Sequence, residues 1–361
     1  MKLSFQDIAS KYKKEVNSDI RRFFIEKRKN LYLSPLLNRY LTTIERFVMN
    51  GGKRLRPIAL IAAYRGFGGT EDISRASLSV EFFHNCTLIE DDIMDEDELR
   101  RNKPTTYKIL KEEFLKRNKE RKYKGSLFNR ESSKSSVSNS ILLGNILYSM
   151  GNNCIADSKF SSIIKSDAQK LYNEAFIIVN DGQLLDLKLE KNNRASEQNY
   201  IEMAERKTAN LIKACVELGA IFAGVSKERQ KAIGKYALNS ALGFQIADDL
   251  MDINPDSQKG HSLGSDLVKG KKTLVVIKAL EMGCHIEKNK ILRVLGRQKA
   301  SKRNIKKAID ALHTSGAVNY TQEFAKKKIK QSKVWLKKAR LTQEYEDFFS
   351  DLADYFIERN I

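Results

Sequence analysis

Two clusters of aspartates are the residues of this chain best suited to chemistry: Asp91, Asp92 and Asp95 in the first, and Asp248, Asp249 and Asp252 in the second. Each cluster has the spacing i, i+1, i+4, and residues four apart lie on one face of a helix. Three like charges this close require a counter-charge, and Mg²⁺ bound by a few carboxylates plus substrate phosphates supplies one. The doubling predicts two metal-binding clusters that face one another across a pocket.

Basic residues that could bind a diphosphate occur at two further places. The segment Gly51–Pro57 reads GGKRLRP, so that glycines permit close backbone approach while Lys53 and Arg56 supply charge. The pair Arg100-Arg101 directly follows the first aspartate cluster. Arginine suits phosphate because its planar guanidinium donates two parallel hydrogen bonds. Either group alone is typical of an ordinary surface turn, and only its position beside the aspartates favours a binding role.

Several polar residues share faces with the aspartates on the predicted helices. His84 lies seven residues before Asp91, and Gln245 lies three residues before Asp248. Lys207-Thr208 and the segment Gly182–Asp186 (GQLLD) add an ammonium, an amide and a carboxylate to otherwise apolar helices. Each of these is more often an ordinary core or rim residue, so none identifies a site by itself.

The elements that must position these residues are predicted to be helices. The chain has 361 residues, 41% of them hydrophobic, and only four prolines. Long proline-free stretches rich in Ala, Leu, Ile, Lys and Glu favour helix. We expect helices in residues 1–50 with a break at 33–35, a helical hairpin over 57–97 that turns at 66–70, and helical periodicity over 141–280. Residues 119–140 are polar and Ser-rich, which predicts a partly mobile surface insertion, and a basic helical layer is expected from about residue 287.

The net charge of +20 allows three interpretations. These are nucleic-acid binding, attraction to anionic lipid or phosphorylated substrates, and a Lys-rich solvated surface. Nucleic acid is the weakest, because the basic residues are dispersed and lack interleaved aromatics. Four separated cysteines favour a reducing compartment and argue against a disulfide framework or structural zinc site. With no signal-peptide core and no apolar run of about 18 residues, a cytoplasmic protein without a transmembrane helix is expected.

Taken together, these motifs resemble the trans-isoprenyl diphosphate (polyprenyl) synthases, and most closely the geranylgeranyl diphosphate synthases. The resemblance runs from about Gly51 to Thr273. The matching features are GGKRLRP, His84, DDIMD followed by Leu99-Arg100-Arg101 and Lys103-Pro104-Thr105, GQLLD, Lys207-Thr208, FQIADDLMD, and Gly264-Ser265-Asp266 with Lys271.

The resemblance implies an all-α fold, a single large helical bundle around a central cavity, and a homodimer. It implies head-to-tail condensation of isopentenyl diphosphate with allylic diphosphates, dependent on about three Mg²⁺ ions per active site. By motif, the metal ligands would be Asp91, Asp92, Asp95, Asp248, Asp249 and Asp252; the allylic diphosphate would be bound by Arg100, Lys207, Thr208, Gln245 and Lys271; and isopentenyl diphosphate would be bound by Lys53, Arg56, His84 and Arg101.

Product length is predicted from the helix before the first cluster. In the resembled family, a bulky aromatic four or five residues before the first aspartate tends to close the product tunnel at farnesyl length. Cys86 and Thr87 are small here, and Phe82 and Phe83 lie one turn further away. A helical turn of about 5.4 Å approximates one extended isoprene unit. The expected product is therefore geranylgeranyl diphosphate.

Three features depart from the family pattern, one of which is that the polar insertion at 119–140 is longer than expected. The sequence has Gly144-Asn145 where many relatives carry Gly-Asp. A lysine that commonly precedes the Gly-Ser-Asp motif is replaced by His261-Ser262, and Lys259 or His261 is the candidate substitute.

Other functions remain open. The enzyme could make farnesyl or longer products. More remotely, it could be a class I terpene cyclase, although the set Lys53, Arg56 and His84 argues against that, or a non-catalytic synthase subunit, which usually loses one aspartate cluster. Weak contact with a membrane surface is compatible with the charge, whereas nucleic-acid binding would leave both clusters unexplained.

Overall fold

Helices make up almost all of the regular structure. The computed structural model describes residues 5–29, 33–192, 194–255 and 263–358, and within them the strands are two residues long. The all-α prediction is confirmed. The chain forms two compact units. We call Gln6–Ile61 with Thr70–Gln169 the N-terminal unit. The C-terminal unit consists of Ala62–Gly69 and the chain from Lys170 onward, and it also includes Phe5.

The N-terminal unit contains four helices and one short hairpin among its described residues, and three further helices cross its boundary. The four are α2 (Pro35–Met49), α4 (Ser74–Met94), α5 (Thr106–Arg117) and α6 (Glu131–Ala156); the hairpin is β1 (Leu99–Arg100) with β2 (Lys103–Pro104); and the crossing helices are α1 (Phe5–Arg28), α3 (Leu55–Gly66) and α7 (Ser162–Lys191).

The C-terminal unit continues with nine helices and one π-helical turn in its described residues. They are α8 (Glu197–Ala204), the π-helical turn (Glu205–Ala209), α9 (Asn210–Phe222), α10 (Lys227–Met251), α11 (Ser265–Lys269), α12 (Leu274–Met282), α13 (His285–Leu292), α14 (Lys302–Thr314), α15 (Ala317–Ala339) and α16 (Gln343–Glu358).

The predicted break at residues 33–35 is confirmed, and its cause is local. Ser34 caps α2 by accepting a hydrogen bond from the Leu37 backbone N–H, and Pro35 occupies the first helical position. A serine cap satisfies an otherwise unpaired N–H, and proline tolerates that position because it has no N–H to lose. The predicted hairpin also matches the bounds of α3 and α4.

The predicted surface insertion at 119–140 differs from the structure in its second half. Residues 131–140 are the first ten residues of α6, and Ser132, Ser136 and Ser140 are buried along one face. Serine is a poor helix former in isolation, so composition suggested a loop. The spacing of four residues nevertheless gives α6 a narrow, small-residue face that packs against its neighbours.

Close packing of α10 and α15 forms the centre of the C-terminal unit. Ala325, Ile329 and Leu336 of α15 are buried. A Cβ on Gly243 of α10 would lie 3.0 Å from Ile329 Cδ1, so the glycine permits the close approach. α10 carries the second aspartate cluster, and this packing fixes the helix that presents it.

Candidate active site

The first aspartate cluster lies at the C-terminal end of α4. Asp91 and Asp92 are in its last turn, and Asp95 is the C-cap, with its N–H donating to the Asp91 carbonyl at 2.8 Å. The carboxyl end of a helix carries partial negative charge, which disfavours further carboxylates there. An added cation would relieve both sources of negative charge.

Arg100 neutralises part of this cluster. Its Nε donates to Asp92 Oδ1 at 2.5 Å, and its Nη2 donates to Asp91 Oδ2 at 3.2 Å. Asp92 is buried, its Oδ2 accepts no hydrogen bond in the described structure, and burial raises its pKa to about 7 despite Arg100. A buried carboxylate oxygen without a donor is costly. It is therefore a suitable ligand atom for a cation.

The β1–β2 hairpin positions Arg100 and Arg101 so that they contact different partners. Arg100 contacts the aspartate cluster, and Arg101 contacts the Gly51-Gly52 segment. Arg101 and Asn102 have φ of 53° and 58°, the left-handed conformation of a tight hairpin turn. Arg101 lies against the diglycine, and a Cβ on Gly52 would lie 3.0 Å from its Nη1. Its Nη1 also donates to the Asn50 carbonyl at 3.2 Å. The hairpin thus joins the carboxylate cluster to the basic Gly51–Pro57 segment.

His84 lies among arginines. Burial and the charges of Arg56, Arg101, Arg100 and Arg54 hold its pKa well below its ordinary value, so the imidazole is neutral at physiological pH. A neutral histidine both donates and accepts hydrogen bonds. Arg54 and Arg100 are themselves paired with Glu81 and Asp92, so the guanidiniums of Arg56 and Arg101 are the ones that best suit a diphosphate here.

Arg54 has a structural role that the sequence did not reveal. It is buried with φ 57°, and its Nη1 donates to Glu81 Oε1 at 2.5 Å. Its Nε donates to Asn17 Oδ1 at 2.9 Å, and Asn85 also donates to Glu81. This network anchors the residue between Lys53 and Arg56, so it fixes the backbone that presents both predicted binding residues.

The predicted chain-length residues are all on α4 in the N-terminal unit. Phe82 packs against Phe23 and Phe24 of α1 with ring-centroid distances of 4.7 Å and 5.7 Å. Phe83 instead meets Tyr148 of α6 edge-on at 6.0 Å. Cys86 is buried and Thr87 is half-buried. The two phenylalanines therefore belong to different packing groups.

The second cluster also lies at a helix C-terminus, that of α10. Asp248 and Asp249 are in the last turn, and Asp252 is the C-cap. Both oxygens of Asp249 accept hydrogen bonds from neutral side chains: Oδ2 from Tyr200 Oη at 2.6 Å and Oδ1 from Gln245 Nε2 at 2.8 Å. Burial raises the pKa of Asp249 to about 7.

Asp252 connects this cluster to the Gly-Ser-Asp motif. Its Oδ1 accepts from Ser265 Oγ at 2.7 Å, and its Oδ2 accepts from the Asp266 N–H at 3.0 Å. The Gly264 N–H donates to the Asp252 carbonyl at 2.8 Å. The carboxylate thus caps the start of α11, while Lys271 closes its other end with a hydrogen bond from its N–H to the Asp266 carbonyl.

Lys207 occupies the π-helical turn and pairs with the predicted Asp186. Its Nζ lies 2.5 Å from Asp186 Oδ2. A Cβ on Gly182 would lie 2.2 Å from the Lys207 backbone N, so α7 approaches this turn as closely as only glycine allows. π-helical turns often occur at functional sites. Thr208 follows in the same turn and is half-buried.

The donor set fits Mg²⁺ with substrate rather than a site made by protein alone. Within the described ranges, no three His, Cys, Asp or Glu side chains converge as a metal-binding group. Mg²⁺ is usually bound through one or two carboxylates, waters and substrate phosphates. The buried Asp92 Oδ2 and the carboxylates at two helix C-termini match that mode. Lys259 and His261 lie outside the described residues.

Sequence reasoning missed Tyr200, Arg54 and Glu81. Tyr200 lies 49 positions before its partner Asp249, so no spacing relates the two residues. A basic residue in a turn is ordinarily solvated, so the local sequence does not predict that Arg54 is buried. The only signal was Glu81, a lone acid in the apolar first half of α4.

Comparison with known proteins identifies relatives for most of the chain. The polyprenyl synthetase family model matches residues 38–312. A geranylgeranyl pyrophosphate synthase from Geoglobus acetivorans is 32% identical over 87% of this chain and 89% of its own length. A geranylfarnesyl diphosphate synthase from Aeropyrum pernix is 31% identical over 86% of this chain and 91% of its own length.

Solved structures share the fold over nearly the whole chain. The Geoglobus acetivorans geranylgeranyl pyrophosphate synthetase superposes with a TM-score of 0.79 at 29% identity, covering 98% of this chain and 99% of that chain. A geranylgeranyl pyrophosphate synthase from Corynebacterium glutamicum, complexed with isoprenyl diphosphate and magnesium, gives a TM-score of 0.87 at 23% identity, covering 99% of this chain and 100% of that chain.

Proposed function

Because this chain belongs to the polyprenyl synthetase family and is a trans-prenyltransferase, we propose that it condenses isopentenyl diphosphate with allylic diphosphates to make geranylgeranyl diphosphate. The observation that carries the proposal is the pair of aspartate clusters, each at a helix C-terminus. Each has basic residues in its own unit: Arg100 in the N-terminal unit, and Lys207 and Lys271 in the C-terminal unit.

The protein's residues would perform binding and charge stabilisation. In the C-terminal unit, Lys207 and Lys271, with Thr208 and Gln245, bind the diphosphate of the allylic substrate, whose C–O bond ionises as negative charge develops on the leaving group. Fixed positive groups aimed at that charge lower the barrier. The π electrons of isopentenyl diphosphate then form the new C–C bond, and a proton leaves the adjacent carbon, with the released diphosphate as its acceptor.

The second substrate would be bound by the arginine-rich region of the N-terminal unit. Lys53, Arg56 and Arg101 supply charge, and the neutral His84 donates a hydrogen bond to a phosphate oxygen. The diglycine leaves room for phosphate beside the backbone. A terpene cyclase has no use for such a region, so these residues favour condensation over cyclisation.

Mg²⁺ is the proposed cofactor, bound by Asp91, Asp92 and Asp95 and by Asp248, Asp249 and Asp252, some of them through water. When bound, it neutralises the diphosphate and stabilises the leaving group. The unsatisfied Asp92 Oδ2 supports a direct ligand at that position. The hydrogen-bonded oxygens of Asp249 and Asp252 support contact through water.

The proposed product length rests on α4. Phe83, against Tyr148, is our first candidate for the floor of the product site, and Phe82, which packs on Phe23 of α1, is the second. A relative at similar identity is a geranylfarnesyl diphosphate synthase, so the next longer product is the second candidate. Phe83→Ala should lengthen the main product by one or more isoprene units, whereas the conservative Phe83→Tyr should not.

We further propose a cytoplasmic homodimer. Exposed apolar residues support an interface: Ile177 and Leu184 lie seven positions apart on α7 and are 69% and 67% exposed. All four cysteines are free thiols, and three of them are buried, which suits a reducing compartment. No helix in the described part of the chain has the length and apolarity to cross a membrane.

The decisive experiment is a condensation assay with purified protein, Mg²⁺, labelled isopentenyl diphosphate and each allylic diphosphate, followed by chromatography of the dephosphorylated products. A C20 alcohol as the main species supports the proposal. A hydrocarbon released without isopentenyl diphosphate would indicate a cyclase instead, and a C25 alcohol would support the geranylfarnesyl alternative.

A further inference from the structure

The basic residues behind the net charge of +20 are unevenly distributed, and several of them surround the chain's single tryptophan. Trp335 is half-buried on α15, with Lys235 Nζ of α10 lying 4.0 Å and Lys338 Nζ lying 4.4 Å from its ring. Two cations over one indole form favourable cation–π contacts. We define the Trp335 face by seven residues of the C-terminal unit: Lys231, Lys235, Lys330, Val334, Trp335, Lys337 and Lys338.

Helical spacing aligns these residues on the surface. Lys330, Val334 and Lys337 are exposed and follow the outward stripe of α15, opposite its buried residues. Lys231 is exposed one turn before Lys235 on α10. Arg229 fixes this end of the helix pair by donating to the carbonyls of Ala339 and Arg340. The face is therefore rigid and is presented by packed helices.

The exposed lysines of this face, Lys231, Lys330 and Lys337, form no ion pairs with described residues. The neighbouring Lys333, by contrast, pairs with Asp354 at 2.6 Å. Glu228, in the first turn of α10, is the acid next to Lys231. The face therefore keeps a net positive charge.

We propose that the Trp335 face docks the enzyme on the surface of an anionic lipid bilayer. Lysines attract anionic headgroups, and their aliphatic stems, with the 54% exposed Val334 and the indole edge, suit the headgroup region. Lysine is depleted in protein–protein interfaces, so a protein partner fits this face poorly. Lysine ammoniums already lie over the indole ring, which disfavours base stacking and hence single-stranded nucleic acid.

The inference rests on the proposed function for its purpose. Prenyl diphosphates carry an anionic head and a long apolar chain, and the longer ones partition into membranes. An enzyme held at a bilayer surface would release such products where their chains are soluble. Docking itself depends only on the Trp335 face, so it is measured without the condensation reaction.

The single tryptophan makes the test specific. Vesicles of phosphatidylcholine with phosphatidylglycerol should shift its emission to shorter wavelength at low salt, and brominated phosphatidylcholine in those vesicles should quench it. Pure phosphatidylcholine should do neither, and added salt should weaken the effect. Co-sedimentation without a shift or quenching would overturn the proposal, because another surface would then be binding.

Charge variants provide the matched control. Lys231→Glu with Lys337→Glu should weaken vesicle binding by at least about 25-fold, taking about 1 kcal/mol per lysine near an anionic surface. Lys302→Glu with Lys307→Glu on α14 changes two exposed lysines equally and should cost only a few-fold. Equal losses would mean diffuse charge attraction and overturn the proposal.

Two further measurements separate the alternatives. The variant with Lys231→Glu and Lys337→Glu should condense its substrates in detergent solution at the wild-type rate. If the wild-type protein itself shows no condensation, the proposed function is contradicted, but the docking proposal is not. If this variant loses binding to a generic DNA duplex but keeps vesicle binding, the face is a nucleic-acid site and the lipid proposal is wrong.

Discussion

The two aspartate clusters share a spacing and a place at a helix C-terminus, yet the protein surrounds them differently. Asp92 in the N-terminal unit is paired with the cation Arg100 and has one unsatisfied oxygen. Asp249 in the C-terminal unit has both oxygens satisfied by the neutral donors Tyr200 and Gln245. Asp92 is therefore paired with a cation but incompletely hydrogen-bonded, whereas Asp249 has a hydrogen bond from a neutral donor at each oxygen.

The difference indicates that two aspartate clusters with the same spacing have different roles. Hydrogen bonds to neutral donors orient a carboxylate without removing its charge, which suits a ligand set that must attract a cation. An arginine removes charge and also leaves a guanidinium for an incoming phosphate. The second cluster is therefore expected to depend more on its supporting residues, and the first more on the aspartates themselves.

The largest expected effect is at Asp92. Asp92→Asn removes the charge beside the unsatisfied oxygen and should lower kcat/KM by about 10²–10³-fold, as for other lost charge-stabilising groups. Asp310→Asn, an exposed aspartate on α14, is the control and should be silent. Steady-state kinetics at saturating Mg²⁺ measures both, and activity within a few-fold of wild type at Asp92→Asn would contradict a ligand role.

Tyr200→Phe tests the support of the second cluster. Loss of the hydroxyl leaves Asp249 Oδ2 without its donor and should raise the Mg²⁺ concentration for half-maximal activity about 10–100-fold. Tyr236→Phe is the matched control, since Tyr236 also donates from a buried site, to the Phe349 carbonyl at 2.6 Å. A similar Mg²⁺ shift in both variants would indicate a general loss of packing.

Gly182→Ala probes the approach of α7 to the π-helical turn. The added methyl would meet the Lys207 backbone, and such overpacking should cost about 1–3 kcal/mol of unfolding free energy and raise the KM for the allylic substrate. Gly144→Ala in the N-terminal unit meets its nearest atom at an ordinary 3.5 Å and should be tolerated. Denaturant titrations compare the two, and equal stability losses would show that the contact at Lys207 is not special.

The smallest effect concerns stability and pH. Burial raises the pKa of both Asp92 and Asp249 from 3.8 to about 7. The folded state then binds more protons than the unfolded state between these values, so stability falls as pH rises through that range. Without Mg²⁺ at pH 8, Asp249→Asn should therefore be stabilised by about 1–2 kcal/mol. Asp92→Asn should gain less, because Arg100 loses a partner. Denaturant titrations of the wild type and both variants at pH 5 and pH 8 measure the free energies of unfolding. A larger stabilisation by Asp92→Asn than by Asp249→Asn would contradict the expected order.

The sequence predicted the helices and most of the chemistry-bearing residues because both have short-range signatures. Ser34-Pro35 marks a helix start, and the aspartate spacing is read within five residues. Partners distant in sequence have no such signature. The contacts of Tyr200 with Asp249 and of Arg54 with Glu81 are therefore visible only in the three-dimensional structure. Composition predicts a loop for the Ser-rich start of α6, whereas the structure forms helix there because burial against neighbouring helices outweighs intrinsic propensity.

The π-helical turn at Glu205–Ala209 has an evolutionary consequence. Such a turn holds one more residue than the regular helix it replaces, and a residue occupies about 100° of helix rotation. Deleting one residue there would leave a continuous helix but turn Lys207 away from Asp186 or rotate α9 against its neighbours. A single-codon deletion in this segment should therefore be far less tolerated than one within residues 194–196, directly before α8.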